Sequence, residues 1–290
     1  MRWRDGRRSD NVEDTRGRGG GSGMGGGGFK LGIGGLVVVA AAYFLGVDPQ
    51  LVMGIMQATQ GGGSTLESGS VATSRPSDEA GDFMTVVLAD TEDTWGELFR
   101  AGGAQYTPAR LRLYDAGQPS GCGSTSAEAG PFYCPADQRV YIDPLFFGEL
   151  ERRFGASGDF AQAYVLAHEV GHHVQTLTGI SDKVRAAQQR ASEEERNALQ
   201  VRMELQADCY AGIWAHHAQR SRAVLESGDI EEALGAAAAV GDDMIQKRTQ
   251  GHVVPESFTH GSAAQRQRWF GRGFESGQIN ACDTFGARAP

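Results

Sequence analysis

Residues 163–177 read AYVLAHEVGHHVQTL and contain His168-Glu169-Val170-Gly171-His172. On an α-helix, positions i and i+4 share one face, a turn apart. Two imidazoles placed this way can ligate one Zn²⁺ at about 2.0–2.1 Å each. Glu169 stands next to the first of them. It can face a water at the metal, take a proton as the water attacks a carbonyl, and return it to the leaving amine. The flanking Tyr164, Val165, Leu166, Val174 and Leu177 are apolar or aromatic, as a buried active helix requires. Gly171 costs about 1 kcal/mol of helix propensity against alanine. A residue that small lets a neighbouring backbone or a ligand come close. Two purely structural histidines are the alternative, but burying them with a glutamate is costly without a metal.

A catalytic zinc site needs a third protein ligand and an open fourth position. His173 follows His172 but points about 100° away around the helix, so it is read as an outer or surface residue. A better candidate lies 32 residues beyond His172, in VRMELQADCYAGIW (residues 201–214). Glu204 and Asp208 are at i and i+4 among Met203, Leu205, Ala207, Ala211, Ile213 and Trp214. Carboxylates in such a setting are expensive unless paired or metal-bound. Glu204 is the expected third ligand, and Asp208 the group that holds the far nitrogen of a zinc histidine. A surface Glu–Asp pair on an amphipathic helix is the alternative.

These residues need a frame. The chain has 290 residues, with 27 Lys plus Arg, 36 Asp plus Glu and a net charge of −9. That balance excludes nucleic acid as the main partner, because phosphate binding needs a basic footprint. Residues 1–30 carry seven basic and four acidic side chains and a glycine tract, and are expected to be a cytoplasmic tail that does not fold alone. Leu31–Val47 is an uncharged apolar run of 17 residues, about 25 Å as a helix, the short end of a membrane span. An uncleaved single-pass anchor is favoured over a cleaved signal peptide or a core helix. The positive tail then faces the cytoplasm, and the remainder lies outside the bacterial cytoplasmic membrane. Residues 48–82 read as a flexible linker, and residues 83–290 as the globular domain.

Within that domain helices are expected over Asp90–Arg100, Leu145–Phe154, Phe160–Leu177, Asp182–Gln219 with a break near Ser192, Ile230–Gln246, and Ala263–Phe270, the last stopped by Gly271 and Gly273. RLRLYD (110–115) alternates like a strand, and 131–134 with 139–143 form a candidate hairpin around Pro135-Ala136-Asp137-Gln138. The hairpin lies just upstream of the active helix and could offer an edge to an extended substrate. All four cysteines, Cys122, Cys134, Cys209 and Cys282, lie in the domain. Four cysteines allow three connectivities; Cys122–Cys134 with Cys209–Cys282 is the expected pairing, buried free thiols the alternative.

The order H-E-x-x-H then E-x-x-x-D resembles the gluzincin metallopeptidases. VLADTEDTWGELF, GPFYCPADQRVYID, FGASGDFAQAYVLAHEVGHHVQ, ELQADCYAGIWAHH and SFTHGSAAQRQRWF together resemble the bacterial neutral zinc metallopeptidase (YpfJ-like) family over nearly the whole chain. The resemblance implies an α+β, mainly helical, zincin-like domain with a small antiparallel sheet, preceded by a single transmembrane helix. It implies one catalytic Zn²⁺ on His168, His172 and Glu204, with Glu169 as base. A second resemblance, to HtpX-type membrane metallopeptidases, carries Thr259-His260 and an Arg six positions on, Arg266; Gly261 stands where that pattern has proline. A zinc peptidase needs a donor to the oxyanion beside the metal, and His260 or Arg266 could supply it; capping of the next helix is the alternative for His260. The expected function is a membrane-anchored zinc endopeptidase acting on a protein or peptide, with lipid contact through the anchor. A zinc-binding module without catalysis and a zinc amidase acting on non-protein amides are the rivals.

Overall fold

The computed structural model describes residues 1–17, 76–115, 119–124 and 130–290. The expected anchor and most of the expected linker lie outside these residues, and among the described residues no helix is long and apolar enough to cross a membrane. The described chain is mainly helical. In order it forms β1 (Val12–Asp14), α1 (Glu79–Ala101), β2 (Arg110–Leu113), β3 (Pro119–Ser120), β4 (Gly123–Ser124), β5 (Phe132–Cys134), β6 (Arg139–Ile142), α2 (Leu145–Phe154), α3 (Asp159–Leu177), α4 (Ile180–Gln188), α5 (Glu193–Arg222), α6 (Asp229–Ala239), α7 (Asp242–Gln250) and α8 (Ala263–Ser276). Short 3-10 turns at Pro255–Ser257 and Ile279–Cys282 complete it.

The main sheet runs β1-β2-β6-β5. Only the β5–β6 hairpin is antiparallel; β1 pairs parallel with β2, and β2 parallel with β6. The expected antiparallel sheet is therefore mixed. The hairpin turns as expected, with Gln138 in the left-handed region. A two-stranded ribbon, β3–β4, lies apart from the main sheet.

Residues 1–17 depart most from expectation. They are built into the domain instead of forming a separate tail. β1 lies on β2 with Val12 opposite Leu111. Met1, Trp3 and Val12 are buried in the core, and the Trp3 ring meets Phe83 edge-on at 5.3 Å. The arginines pair with carboxylates on and around α1: Arg7 with Glu92 and Asp93, Arg8 with Asp82, Arg16 with Asp78. Exposed pairs of this kind contribute about 0–1 kcal/mol each. Burial of a large apolar side chain contributes about 1.5–3 kcal/mol, so the apolar anchors hold the segment and the ion pairs set its register. Asp159 and Asp229 lie against the Met1 ammonium, at 2.7 and 3.4 Å.

A single folded body cannot be divided by a membrane. Residues 1–17 and 76–290 pack as one such body, unlike the expected tail that does not fold with the domain. Protease sites inserted after Gly19 and at the C-terminus of the full chain should be cleaved together or spared together in intact spheroplasts. Cleavage of one alone would show that the segment does not dock as seen here.

The domain also begins earlier than expected. Helix α1 runs back to Glu79, where Asp78 caps it by accepting from the Gly81 N–H. Ser192 caps α5 in a reciprocal capping box with Glu195, at the expected break. The expected helix Ile230–Gln246 is two helices, parted at Gly241. Helix α8 passes through Gly271 and Gly273 and ends at Gly277. Gly273 is a packing residue, not a stop: a Cβ there would lie 2.0 Å from the Cys209 carbonyl oxygen, and one on Gly212 2.1 Å from that of Phe270. The backbones of α5 and α8 are in contact at these two positions. Both expected disulfides are present, Cys122–Cys134 and Cys209–Cys282.

Candidate metal centre

Helix α3 carries the H-E-x-x-H residues through the middle of the domain. Gly158, at φ 107°, starts it, and Glu232 of α6 accepts from the Phe160 N–H at 3.0 Å, satisfying one of the first-turn donors. Gly179, at φ 72°, follows its end. Helix α5 crosses α3 closely because Gly171 has no side chain: a Cβ there would meet the Ala207 backbone at 3.0 Å. The close approach expected of Gly171 is thus an approach by the helix that bears Glu204 and Asp208.

The three expected ligands converge. Glu204 Oε2 lies 3.1 Å from His168 Nε2 and 3.5 Å from His172 Nε2. One ligand atom from each residue falls within 4.8 Å of the others. Burial pushes the Glu204 carboxyl up, but His172 and His168 outweigh it and hold it well below the usual range. Burial pulls the His168 imidazole down, while Asp208 and Glu204 raise it to about 9. Two nitrogens and one oxygen turned toward a common point, with their outer atoms engaged elsewhere, suit a zinc ion.

Those outer partners are well defined. His168 Nδ1 donates to Asp208 Oδ1 at 2.8 Å, the role expected of Asp208. Tyr164 donates to the same oxygen at 2.5 Å. His172 Nδ1 faces Gln175 Oε1 at 2.8 Å, and Gln200 donates to Glu204 Oε1 at 2.9 Å. Neither glutamine stood out in the sequence. The available signal was spacing, since Gln175 is three residues from His172 and Gln200 four from Glu204, each on the same helix.

Glu169 is 7% exposed, and its carboxylate makes no hydrogen bond among the described residues. Burial raises its pKa, with His168 and His172 pulling the other way. His173 is buried, not on the surface. Tyr133 of β5 hydrogen-bonds its Nδ1 at 3.0 Å, and its Nε2 donates to the Thr107 carbonyl at 2.7 Å. Both nitrogens are used, one toward edge strand β5 and one toward the segment before β2, so neither is free to turn to the other histidines.

The two residues expected at the oxyanion separate. Arg266 is 3% exposed and spans Asp208, with Nε 2.8 Å from one carboxylate oxygen and Nη2 2.9 Å from the other. It lies behind His168, on the Nδ1 side, away from the converging ligand atoms. Arg266, expected as one of two candidate oxyanion donors, is placed on Asp208, whose charge its cation neutralises. His260 lies within the field of Glu204. It does not cap α8, because Ser262 does. Asp242, at the start of α7, fixes it: Oδ2 accepts from the backbone N–H groups of Thr259, His260 and Gly261 at 2.7, 2.6 and 3.0 Å, and Oδ1 lies 3.2 Å from His260 Nδ1. Asp242 was hidden in the sequence by reading α6 and α7 as one helix.

A family model described as "Putative neutral zinc metallopeptidase" matches residues 1–285. The protein YpfJ of Escherichia coli K12 is 52% identical over 291 residues, covering 99% of both chains. Mb2605 of Mycobacterium bovis and Rv2575 of Mycobacterium tuberculosis H37Rv are each 42% identical over 256 residues, 85% of both chains. No solved structure matches the chain.

Proposed function

The chain belongs to the neutral zinc metallopeptidase family, and on that premise we propose that it is a zinc-dependent endopeptidase in which His168, His172 and Glu204 hold the metal. The observation that carries the reading is the meeting of His168 Nε2, His172 Nε2 and Glu204 Oε2, with Glu169 on the same turn and outside the ligand set. When bound, zinc polarises the scissile carbonyl and lowers the pKa of water. Glu169 takes the proton of the attacking water and delivers it to the leaving amine. His260, oriented by Asp242, donates to the oxygen on which charge develops. Strand β5, at the edge of the sheet and tied to α3 through Tyr133 and His173, receives an extended peptide as an added strand. Two disulfides favour an oxidising compartment outside the cytoplasm. Lipid contact through Leu31–Val47 belongs to the same proposal, with both flanks of that run on one side of the membrane.

A non-catalytic zinc module is disfavoured by Glu169. A buried carboxylate with a raised pKa costs stability and has no task in a structural site. The test is cleavage of a mixed peptide library and of a panel of non-protein amides by the purified full chain, followed by mass spectrometry. Peptide-bond hydrolysis lost on chelation and restored by zinc is expected. Hydrolysis indifferent to chelation would overturn the reading, and cleavage confined to non-protein amides would establish the amidase instead.

A further inference from the structure

We infer that Gln175 is a positioning residue for His172, and that its orientation is set by the backbone carbonyl of Met203 and, through Gln206, by that of Cys282. The inference rests on the reading of His172 as a metal ligand. Gln175 and Gln206 are two buried amides, 0% and 5% exposed, on α3 and α5. The partners of an amide decide which way round it sits, and here they do so. Gln206 Nε2 lies 3.0 Å from the Cys282 carbonyl oxygen, which can only accept. Gln206 therefore turns its own oxygen toward Gln175. Gln175 Nε2 lies 3.1 Å from that oxygen and 2.8 Å from the Met203 carbonyl, two acceptors that require the nitrogen on this side. Gln175 Oε1 is left facing His172 Nδ1 at 2.8 Å. The ring must donate there, so its proton sits on Nδ1 and the Nε2 lone pair points to Glu204 and the metal position.

The relay starts at a fixed point. Cys282 is bonded to Cys209 of α5, so the carbonyl that orients Gln206 cannot drift from the helix that carries Glu204. The two metal histidines are thus held differently. His168 is held by a carboxylate neutralised by Arg266, and His172 by a neutral chain of amides that ends on the disulfide-fastened segment.

The experiment measures zinc affinity by chelator competition in the full chain, for wild type, Gln175→Leu, Gln175→Glu and Gln206→Leu. Loss of an outer partner typically weakens metal binding about 10–100-fold. Gln175→Leu is expected to show a loss of that size. Gln206→Leu should show a smaller loss, because the Met203 carbonyl still orients Gln175. Gln175→Glu still accepts from Nδ1 but sets an oxygen against the Met203 carbonyl and the Gln206 oxygen, so it should recover only part of the loss. The ¹⁵N shifts of zinc-loaded wild type should report Nδ1–H and ligation through Nε2, a readout that needs no variant to fold. Zinc affinity unchanged in Gln175→Leu, or ligation through Nδ1, would overturn this inference alone. A wild type that binds no zinc would overturn the metal reading and this inference with it. A merely structural glutamine would lower the thermal midpoint of the metal-free chain without changing zinc affinity, and that result too would overturn the proposal.

Discussion

Glu169→Gln should lower peptide hydrolysis by about 10²–10⁴-fold while leaving zinc in place. The substitution keeps the shape of the side chain and removes its ability to accept a proton. Zinc should stay because the metal position is defined by His168, His172 and Glu204, and Glu169 is not among the converging atoms. The buried site makes the substitution well tolerated: a neutral amide is easier to bury than a carboxylate whose pKa burial already raises. Metal-free Glu169→Gln should therefore be at least as stable as wild type to heat. Zinc content and turnover measured on the same preparation separate the two effects. Cleavage at the wild-type rate with zinc bound would show that Glu169 is not the base.

The second large effect is on folding. Arg266→Met should destabilise the chain by about 3–5 kcal/mol, because it leaves the fully buried Asp208 carboxylate without its cation. The lower end is expected, since Tyr164 and His168 still donate to that carboxylate. For a chain of this size the loss corresponds to a thermal midpoint lower by roughly 10 °C. The double variant Arg266→Met with Asp208→Leu removes both charges, and should regain much of the stability. It should not regain zinc affinity, because His168 has lost the acceptor that fixes its Nδ1 proton. Arg266 as an oxyanion donor would give the opposite signature: an unchanged midpoint and a fall in kcat. Thermal unfolding with zinc titration of the three chains decides between them.

The parts of this account that were legible in the sequence are those whose signal is local. His168, Glu169 and His172 lie within five residues, and the helical period alone puts the two imidazoles on one face. Glu204 and Asp208 show themselves by the apolar run around them. Ser192 shows itself as the cap before three glutamates. What was not legible depends on partners far along the chain. The arginines of residues 1–17 read as a solvated tail, since their carboxylates are 62–86 residues away on and before α1. Val12–Asp14 has too few residues to show a strand period before Leu111 is placed beside it. Gly273 reads as a helix stop by propensity, and only the approach of the Cys209 carbonyl reveals why a glycine is needed inside α8. Arg266 was expected, as an alternative to His260, at the oxyanion from the resemblance to the HtpX-type pattern. Its actual partner, Asp208, sits on another helix 58 residues earlier.

The distribution of these cases has a physical cause. The proposed metal position lies between two helices whose own periodicity aims His168, His172 and Glu204, so the candidate ligand set is written locally. Its support is not. Asp208–Arg266, Gln175–Gln206–Cys282 and Asp242–His260 each join two segments, and each requires the fold before it exists.

The most direct test is zinc per chain in the purified full-length protein, beside His168→Ala and Glu204→Ala. One zinc in the wild type, with affinity lowered in both variants, is the expected result, since each substitution removes one of three ligands. A folded wild type without zinc, or a Glu204→Ala variant that binds zinc as tightly as the wild type, would contradict the assignment of His168, His172 and Glu204 as the metal site.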